Sequence, residues 1–305
     1  IKLKRLDAQG FDIINLPSGR YPLAIGHQNL KERLLEFFPA EKQSLTKYLD
    51  TIKDICRSIS LYSLSDKPFN LLECPSLGTG AADYIRSEIK NYTLQNVVAG
   101  NNLMYAGHDR KTPLMMHALI SNSFIESSWR VVDGSNLMID ILAKNITGNG
   151  GTILKNARAV RFTSDNGSIR SVNLENGDEI EGRYFISNTH PVNILPMIGD
   201  LKVSGGFAQR VQNIEDTMGM FTLYLVFKKN SFPYMNHNFY HFKQENTWVA
   251  GEYDPSKWPQ MYAMMHTATS KSDPYAESAS VLTYMKFSEL EMHPLIAEHV
   301  PALAE

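Results

Sequence analysis

Residues 158–187, RAVRFTSDNGSIRSVNLENGDEIEGRYFIS, carry the clearest local pattern in the chain. Asn166-Gly167 and Asn176-Gly177 are two-residue turn signals, because Asn and Gly tolerate the positive φ that tight hairpins require. Between them Ile169, Val172 and Leu174 make a strand. The β-rich run Ala157–Thr163 precedes it and Ile180–Ser187 follows, so Arg158–Ser187 reads as a three-stranded β-meander.

Upstream, Gly148-Asn149-Gly150-Gly151 stops a helix that opens after Asp133-Gly134-Ser135 and carries Leu137, Met138, Ile141 and Leu142 to about Thr147. Thr152–Leu154 reads as a short strand. At the front, Phe11–Asn15 is a strand closed by a Pro17-Ser18-Gly19 turn. Leu30, Leu34 and Phe37 then follow Gly26 at helical spacing. Pro39 ends that helix and opens another, in which Leu45, Leu49, Ile52, Ile55, Cys56 and Ile59 keep one face. Asp83–Val98 reads as two helical pieces and Pro113–Phe124 as a further helix. Downstream, Pro191–Ile198 is a short helix, Phe207–Asn213 a loop or helical turn and Thr217–Phe227 a long apolar strand. Asn238–Phe242, Thr247–Glu252 and Met261–Thr269 are strand candidates, and Pro274–Ala279 opens a terminal helical region. The fold class is therefore mixed α/β.

The 305 residues hold 30 Lys and Arg against 32 Asp and Glu, a net charge of −2 that offers no electrostatic footprint for nucleic acid. Hydrophobic residues at 43% supply a sizeable core and exclude disorder. Two cysteines, Cys56 and Cys74, exclude a disulfide framework and make a reducing cytoplasm the default compartment. The longest apolar run, Phe221–Phe227, falls far short of the ~20 residues that span a bilayer. The chain opens on Ile1 with no initiator Met or signal segment and closes at Glu305 in a helical reading; both ends are expected to be cuts.

Several patterns carry less than they suggest. Gly78-Thr79-Gly80-Ala81-Ala82-Asp83 begins like a dinucleotide turn, but Asp83 occupies the last glycine position and no strand precedes it; a loop leading into a helix is the better reading. His237 and His241 have the i, i+4 spacing of helical metal ligands, yet Asn238-Phe239-Tyr240 between them reads as strand. There is no Gly-x-Ser-x-Gly elbow, and neither cysteine sits in a nucleophile context. Met and aromatic residues gather in Met218–Tyr224, Phe232–Phe242 and Met261–Met265, which suits ordinary strand packing and equally a wide apolar pocket.

The order of features over Gly134–Asn188 resembles the middle of the phytoene desaturase family of FAD-dependent oxidoreductases, in the branch that holds carotenoid isomerases and retinol saturases. Leu34-Leu35-Glu36-Phe37-Phe38-Pro39-Ala40-Glu41 is similar to that branch's Phe-Pro-x-Glu junction. Met104-Tyr105-Ala106-Gly107 through Pro113 to His117-Ala118, and Phe221-Thr222-Leu223-Tyr224-Leu225, also match it. The sequence departs from the family at Arg130-Val131-Val132-Asp133-Gly134, where an aromatic-Pro pair and two glycines usually stand. The family's Gly-x-Gly-x-x-Gly turn and its second flavin segment are not among these residues.

The resemblance implies a substrate domain in two parts, 1–127 and 191–305, with a mixed sheet under helices. It implies a partial FAD-binding domain at 128–190 that includes the meander. Val160 would offer backbone groups to adenine, and Ser187 and Asn188 would approach the flavin. Tyr105, His117 and Tyr224 are the substrate-pocket candidates, with core packing the plainer account of the first two. The implied cofactor is FAD and the implied substrate an apolar isoprenoid or polyene, met in the cytoplasm or at a membrane periphery. The 305 residues alone are expected to be inactive and not to hold FAD. Redox-neutral polyene isomerisation and a non-catalytic apolar-ligand module are the alternatives.

Overall fold

The computed structural model describes residues 1–66, 74–199, 201, 203–215, 217–271 and 274–286. It divides into two compact units, Ile1–Leu137 with Met218–Glu305, and Met138–Thr217. The sequence expectation placed the inserted piece at 128–190; the compact unit begins ten residues later and extends through the helices that follow the meander.

The first unit is built on a six-stranded mixed sheet. Strands β2 (Asp12–Leu16) and β3 (Gly19–Leu23) form a hairpin. A second β-ribbon pairs β1 (Leu3–Arg5) with β4 (Trp129–Val131). Four later strands complete the main sheet: β8 (Gly219–Val226), β9 (Asn238–Phe242), β10 (Met261–His266) and β11 (Ser278–Met285). The order across it is β3-β2-β9-β10-β11-β8, and β2 with β9 is its parallel pair. Alternation along β2 buries Asp12, Ile14 and Leu16 and half-exposes the residues between them.

Five helices pack with this sheet: α1 (His27–Leu35), α2 (Lys42–Ser58), α3 (Ala81–Glu88), α4 (Tyr92–Val98) and α5 (Leu114–Glu126). The periodic face of α2 is buried at Leu45, Tyr48, Leu49, Ile52 and Cys56, as its spacing predicts. Pro39 opens a one-turn 3₁₀ helix ahead of α2, whose Glu41 carboxylate accepts the Asn91 N–H at 2.8 Å. The Asn91 side chain in turn caps α4 by accepting the Leu94 N–H at 2.9 Å. The α4 C-terminus meets the sheet closely, because a Cβ on Gly100 would lie 2.6–2.8 Å from three side-chain atoms of Ile14.

The second unit carries most of α6 (Asn136–Gly148), then β5 (Ala159–Asp165), β6 (Ser168–Leu174), β7 (Glu179–Glu181), α7 (Pro191–Ile194) and α8 (Gly205–Gln212). The meander is present and antiparallel throughout. Its first turn holds Asn166 at φ 50° and Gly167 at φ 78°, the backbone for which the Asn-Gly pair is suited. Apolar side chains in this unit are largely uncovered: α6 buries none of its residues, and Ile139, Leu142, Ile153, Leu154 and Val160 are exposed.

Four local expectations need correction. Thr152–Leu154 is not a strand, and the third meander strand stops at Glu181 rather than running to Ser187. Thr247–Glu252 is a 3₁₀ turn at Thr247–Gly251, not a strand. There the Asn96 side chain accepts the Thr247 N–H at 2.9 Å and Asn246 accepts the Trp248 N–H at 3.1 Å, so polar side chains take the donors a strand ladder would use. The expected terminal helix from Pro274 is instead β11, paired with β10 on one side and β8 on the other. Ala276 and Ala279 make Pro274–Ala279 read locally as helix-compatible, whereas β11 runs on through Val281, Thr283 and Tyr284, which suit a strand between two partners. The helical reading of 301–305 lies outside the described residues.

No helix among the described residues is long and apolar enough to cross a membrane.

Candidate functional site

A cleft of about 760 Å³ opens in the first unit beside β4 and the ends of β9 and β10. Strand pairing decides its wall. Tyr240 faces Ala263 across the β9–β10 ladder, so Asn238, Tyr240 and Met265 share one side of the sheet. Phe124 near the end of α5, Met104 and Leu6 add apolar surface. Arg130 of β4 is the one formally charged residue among the described residues that line it.

Four oxygens hold the Arg130 guanidinium. Nη1 donates to the Tyr234 hydroxyl at 3.0 Å and the Met235 carbonyl at 2.9 Å; Nη2 donates to the His237 carbonyl at 2.8 Å and Asn238 Oδ1 at 2.7 Å. Asn238 Nδ2 donates onward to Asp12 Oδ1 at 2.8 Å, across the parallel β2–β9 pair in which the two residues are partners. Burial pushes the Asp12 carboxyl up to about 7, against the opposing pull of the Asn238 bond and the Arg130 charge. His266, the last residue of β10, accepts the Met235 N–H on Nδ1 at 3.0 Å, which leaves its proton on Nε2. Burial first, and then the nearby Arg130 charge, lower its pKa to about 4, so it adds no charge to the cleft near neutrality.

Two of the three sequence-predicted pocket residues come together elsewhere in this unit. His117 of α5 is fully buried, with Tyr48 Oη 2.7 Å from Nε2 and Tyr105 Oη 2.9 Å from Nδ1. Burial lowers its pKa to about 4. A neutral ring offers one donor and one acceptor, so one tyrosine donates to it and the other accepts from it. Every polar atom of the ring is thus satisfied inside the core. Tyr224 stands apart on the edge strand β8, 77% exposed and opposite Ser280.

Within the second unit, Val160 is the extra residue of a β-bulge. Ala159 and Arg161 face the consecutive residues Leu174 and Asn173, and Val160 falls between them. The bulge lies on β5, an edge of the three-stranded sheet, and Val160 lines a hollow of about 680 Å³ with Thr189, Asn193 and Met197. A bulged edge residue leaves the ladder and frees backbone groups for other partners. Ser187 and Asn188 are exposed in the segment leading to that hollow, where Ser187 Oγ accepts the Thr189 N–H at 3.2 Å.

The discounted motifs also find their places. Gly80 precedes α3, where the Ala81 N–H donates to the Thr112 carbonyl at 2.9 Å and the Leu114 N–H to the Thr79 carbonyl at 2.7 Å, a loop tied to its neighbour. His241 lies in strand β9 and His237 immediately before it.

Sequence reasoning did not single out Arg130, Asn238 or Asp12 for the site. The signal for Arg130 was its place in the stretch 130–134 that departs from the family pattern. Asp12 and Asn238 are 226 residues apart and carry no local signal for their bond.

No protein-family model matches the chain. In sequence it is similar to an all-trans-retinol 13,14-reductase of Macaca fascicularis, 24% identical over 262 residues, covering 76% of this chain and 43% of that protein. The chain thus spans under half the length of that curated relative. In fold it is similar to the crystal structure of the PF1083 protein of Pyrococcus furiosus, with a TM-score of 0.57 at 14% identity over 93% of this chain and 61% of that one.

Proposed function

We propose that this chain is part of an FAD-dependent oxidoreductase that adds or removes hydrogen across a carbon–carbon bond of an isoprenoid or polyene. The similarity to an all-trans-retinol 13,14-reductase over 76% of the chain carries this reading. The bulged Val160 beside its hollow supports it, because free backbone groups on an exposed edge fit the edge of an adenine ring. Bound FAD supplies the hydride chemistry that amino-acid side chains lack.

The chain's own residues bind and orient. Val160 would contribute its backbone to the adenine, and Ser187 and Asn188 would contribute polar groups to the flavin portion. The cleft beside β4 takes the apolar substrate against Met104, Phe124 and Met265 and keeps water from it. Arg130 is held by its four oxygens, so its charge stays in one place while substrate binds.

The test uses the full-length gene product. Visible flavin absorbance after purification or FAD addition is expected, followed by a mass change of two hydrogens in a supplied polyene. A protein that takes up no FAD overturns the reading. Altered double-bond geometry at unchanged mass assigns redox-neutral isomerisation instead.

A further inference from the structure

The charge inventory of the cleft points to the kind of molecule it accepts. Its lining is mostly apolar, and Arg130 is the one formal charge in it among the described residues. Four of the five guanidinium N–H bonds go to uncharged oxygens: two carbonyls, an amide and a phenol. The guanidinium's hydrogen bonds to the described residues all come from Nη1 and Nη2, and none of those residues places a carboxylate at ion-pair distance from it. The nearest negative group in the network, Asp12, reaches Arg130 only through the Asn238 side chain. A partly buried cation that lines an apolar cleft with no carboxylate beside it attracts an oxyanion. The volume, about 760 Å³, is that of a site for a small molecule.

We propose that the cleft binds an apolar carboxylic acid, with its carboxylate at the Arg130 guanidinium and its hydrocarbon body along Met104, Phe124 and Met265. This deepens the proposed function and rests on it for the identity of the hydrocarbon as an isoprenoid; the binding itself requires no flavin. The uncharged ester or alcohol of the same skeleton fills the apolar wall and leaves the cation unpaired.

Trp129 lines the cleft, 50% exposed, and provides a local optical probe. Parinaric acid, a fluorescent conjugated acid, is titrated into the purified protein with energy transfer from tryptophan as readout, beside its methyl ester. The Trp129→Phe variant identifies the signal that comes from the cleft. The acid is expected to bind at least about tenfold more tightly than the ester, the scale of one charge-assisted hydrogen bond. Arg130→Met removes that preference and Arg130→Lys retains part of it. Since Arg130→Met also strips four structural bonds, Ser127→Glu provides a second test: Ser127 is an exposed lining residue, and a carboxylate there weakens the acid several-fold while sparing the ester. Equal binding of acid and ester, or an acid preference untouched by Ser127→Glu in the Trp129-dependent signal, overturns the proposal. A protein that prefers the acid but never takes up FAD sinks the oxidoreductase reading and leaves this one standing.

Discussion

Replacing Asp12 by asparagine is expected to make the protein more stable, and by an amount that grows with pH. Asp12 is 1% exposed, and its carboxyl titrates at about 7 in the fold against an ordinary value of 3.8. The unfolded chain therefore gives up this proton near pH 4, while the folded chain keeps it until about 7. Between those values the native state binds more protons than the unfolded state, so this group lowers stability as pH rises. The full shift corresponds to about 4 kcal/mol, of which about 3 kcal/mol falls between pH 5 and pH 8. The asparagine side chain is uncharged at every pH, and its oxygen can still accept the Asn238 amide bond. The difference in unfolding free energy, Asp12→Asn minus the native protein, should thus widen by about 3 kcal/mol from pH 5 to pH 8. Urea unfolding followed by tryptophan fluorescence measures it, since Trp129, Trp248 and Trp258 all lie in the first unit. Using the difference cancels every other titrating group common to both proteins. A gap that stays constant within about 0.5 kcal/mol across that range would refute the assignment of a buried, near-neutral carboxyl at this position.

Gly100→Ala should destabilise by about 1–3 kcal/mol, because its new Cβ meets Ile14 below van der Waals distance; in the double variant with Ile14→Ala the two effects should fall short of additivity, as urea unfolding will show. His117→Leu should cost about 2–5 kcal/mol by leaving the Tyr48 and Tyr105 hydroxyls facing an apolar group, whereas Tyr224→Ala on the exposed edge should change stability by less than about 0.5 kcal/mol; equal losses would place Tyr224 in the core. Val160→Pro deletes the backbone N–H of the bulged residue, and if the proposed role holds it should weaken FAD retention by the full-length protein about tenfold without altering far-UV circular dichroism; unchanged retention refutes the proposed role of Val160. Calorimetry of the 305-residue chain with FAD should show no micromolar binding, since it holds no Gly-x-Gly-x-x-Gly turn to grip a pyrophosphate; a micromolar dissociation constant would contradict this.

The elements that were legible from the sequence are those whose pattern is local and one-sided. The α2 stripe, the Asn166-Gly167 turn, the Pro39 helix junction and the short apolar run of β2 before its Pro17-Ser18-Gly19 turn each state their structure within a few residues. Residues 247–251 and 278–285 were misread because their outcome depends on partners far along the chain: the Asn96 side chain for the first, strands β8 and β10 for the second. The same division runs through the site. Val160 could be named as a cofactor candidate ahead of the structure only through what the family resemblance implies for the strand after the Gly150-Gly151 stop. The bulge at Val160 could not, because it is a mismatch of register between two strands and belongs to neither alone.

Sequence by itself determined the mixed α/β class, the helices of the first 126 residues and the meander. Hydrophobic period and turn chemistry are short-range properties, written into neighbouring residues. Tertiary structure alone decided the cleft and its charge. Asp12 and Asn238 meet only because β2 and β9 pair in parallel, and Arg130 reaches Asn238 only because β4 comes to lie beside them. Until the chain folds, each of these polar groups is solvated on its own. Burial brings them into one network, holds Asp12 protonated up to near neutrality and leaves Arg130 as the single charge, among the described residues, that lines an apolar cleft.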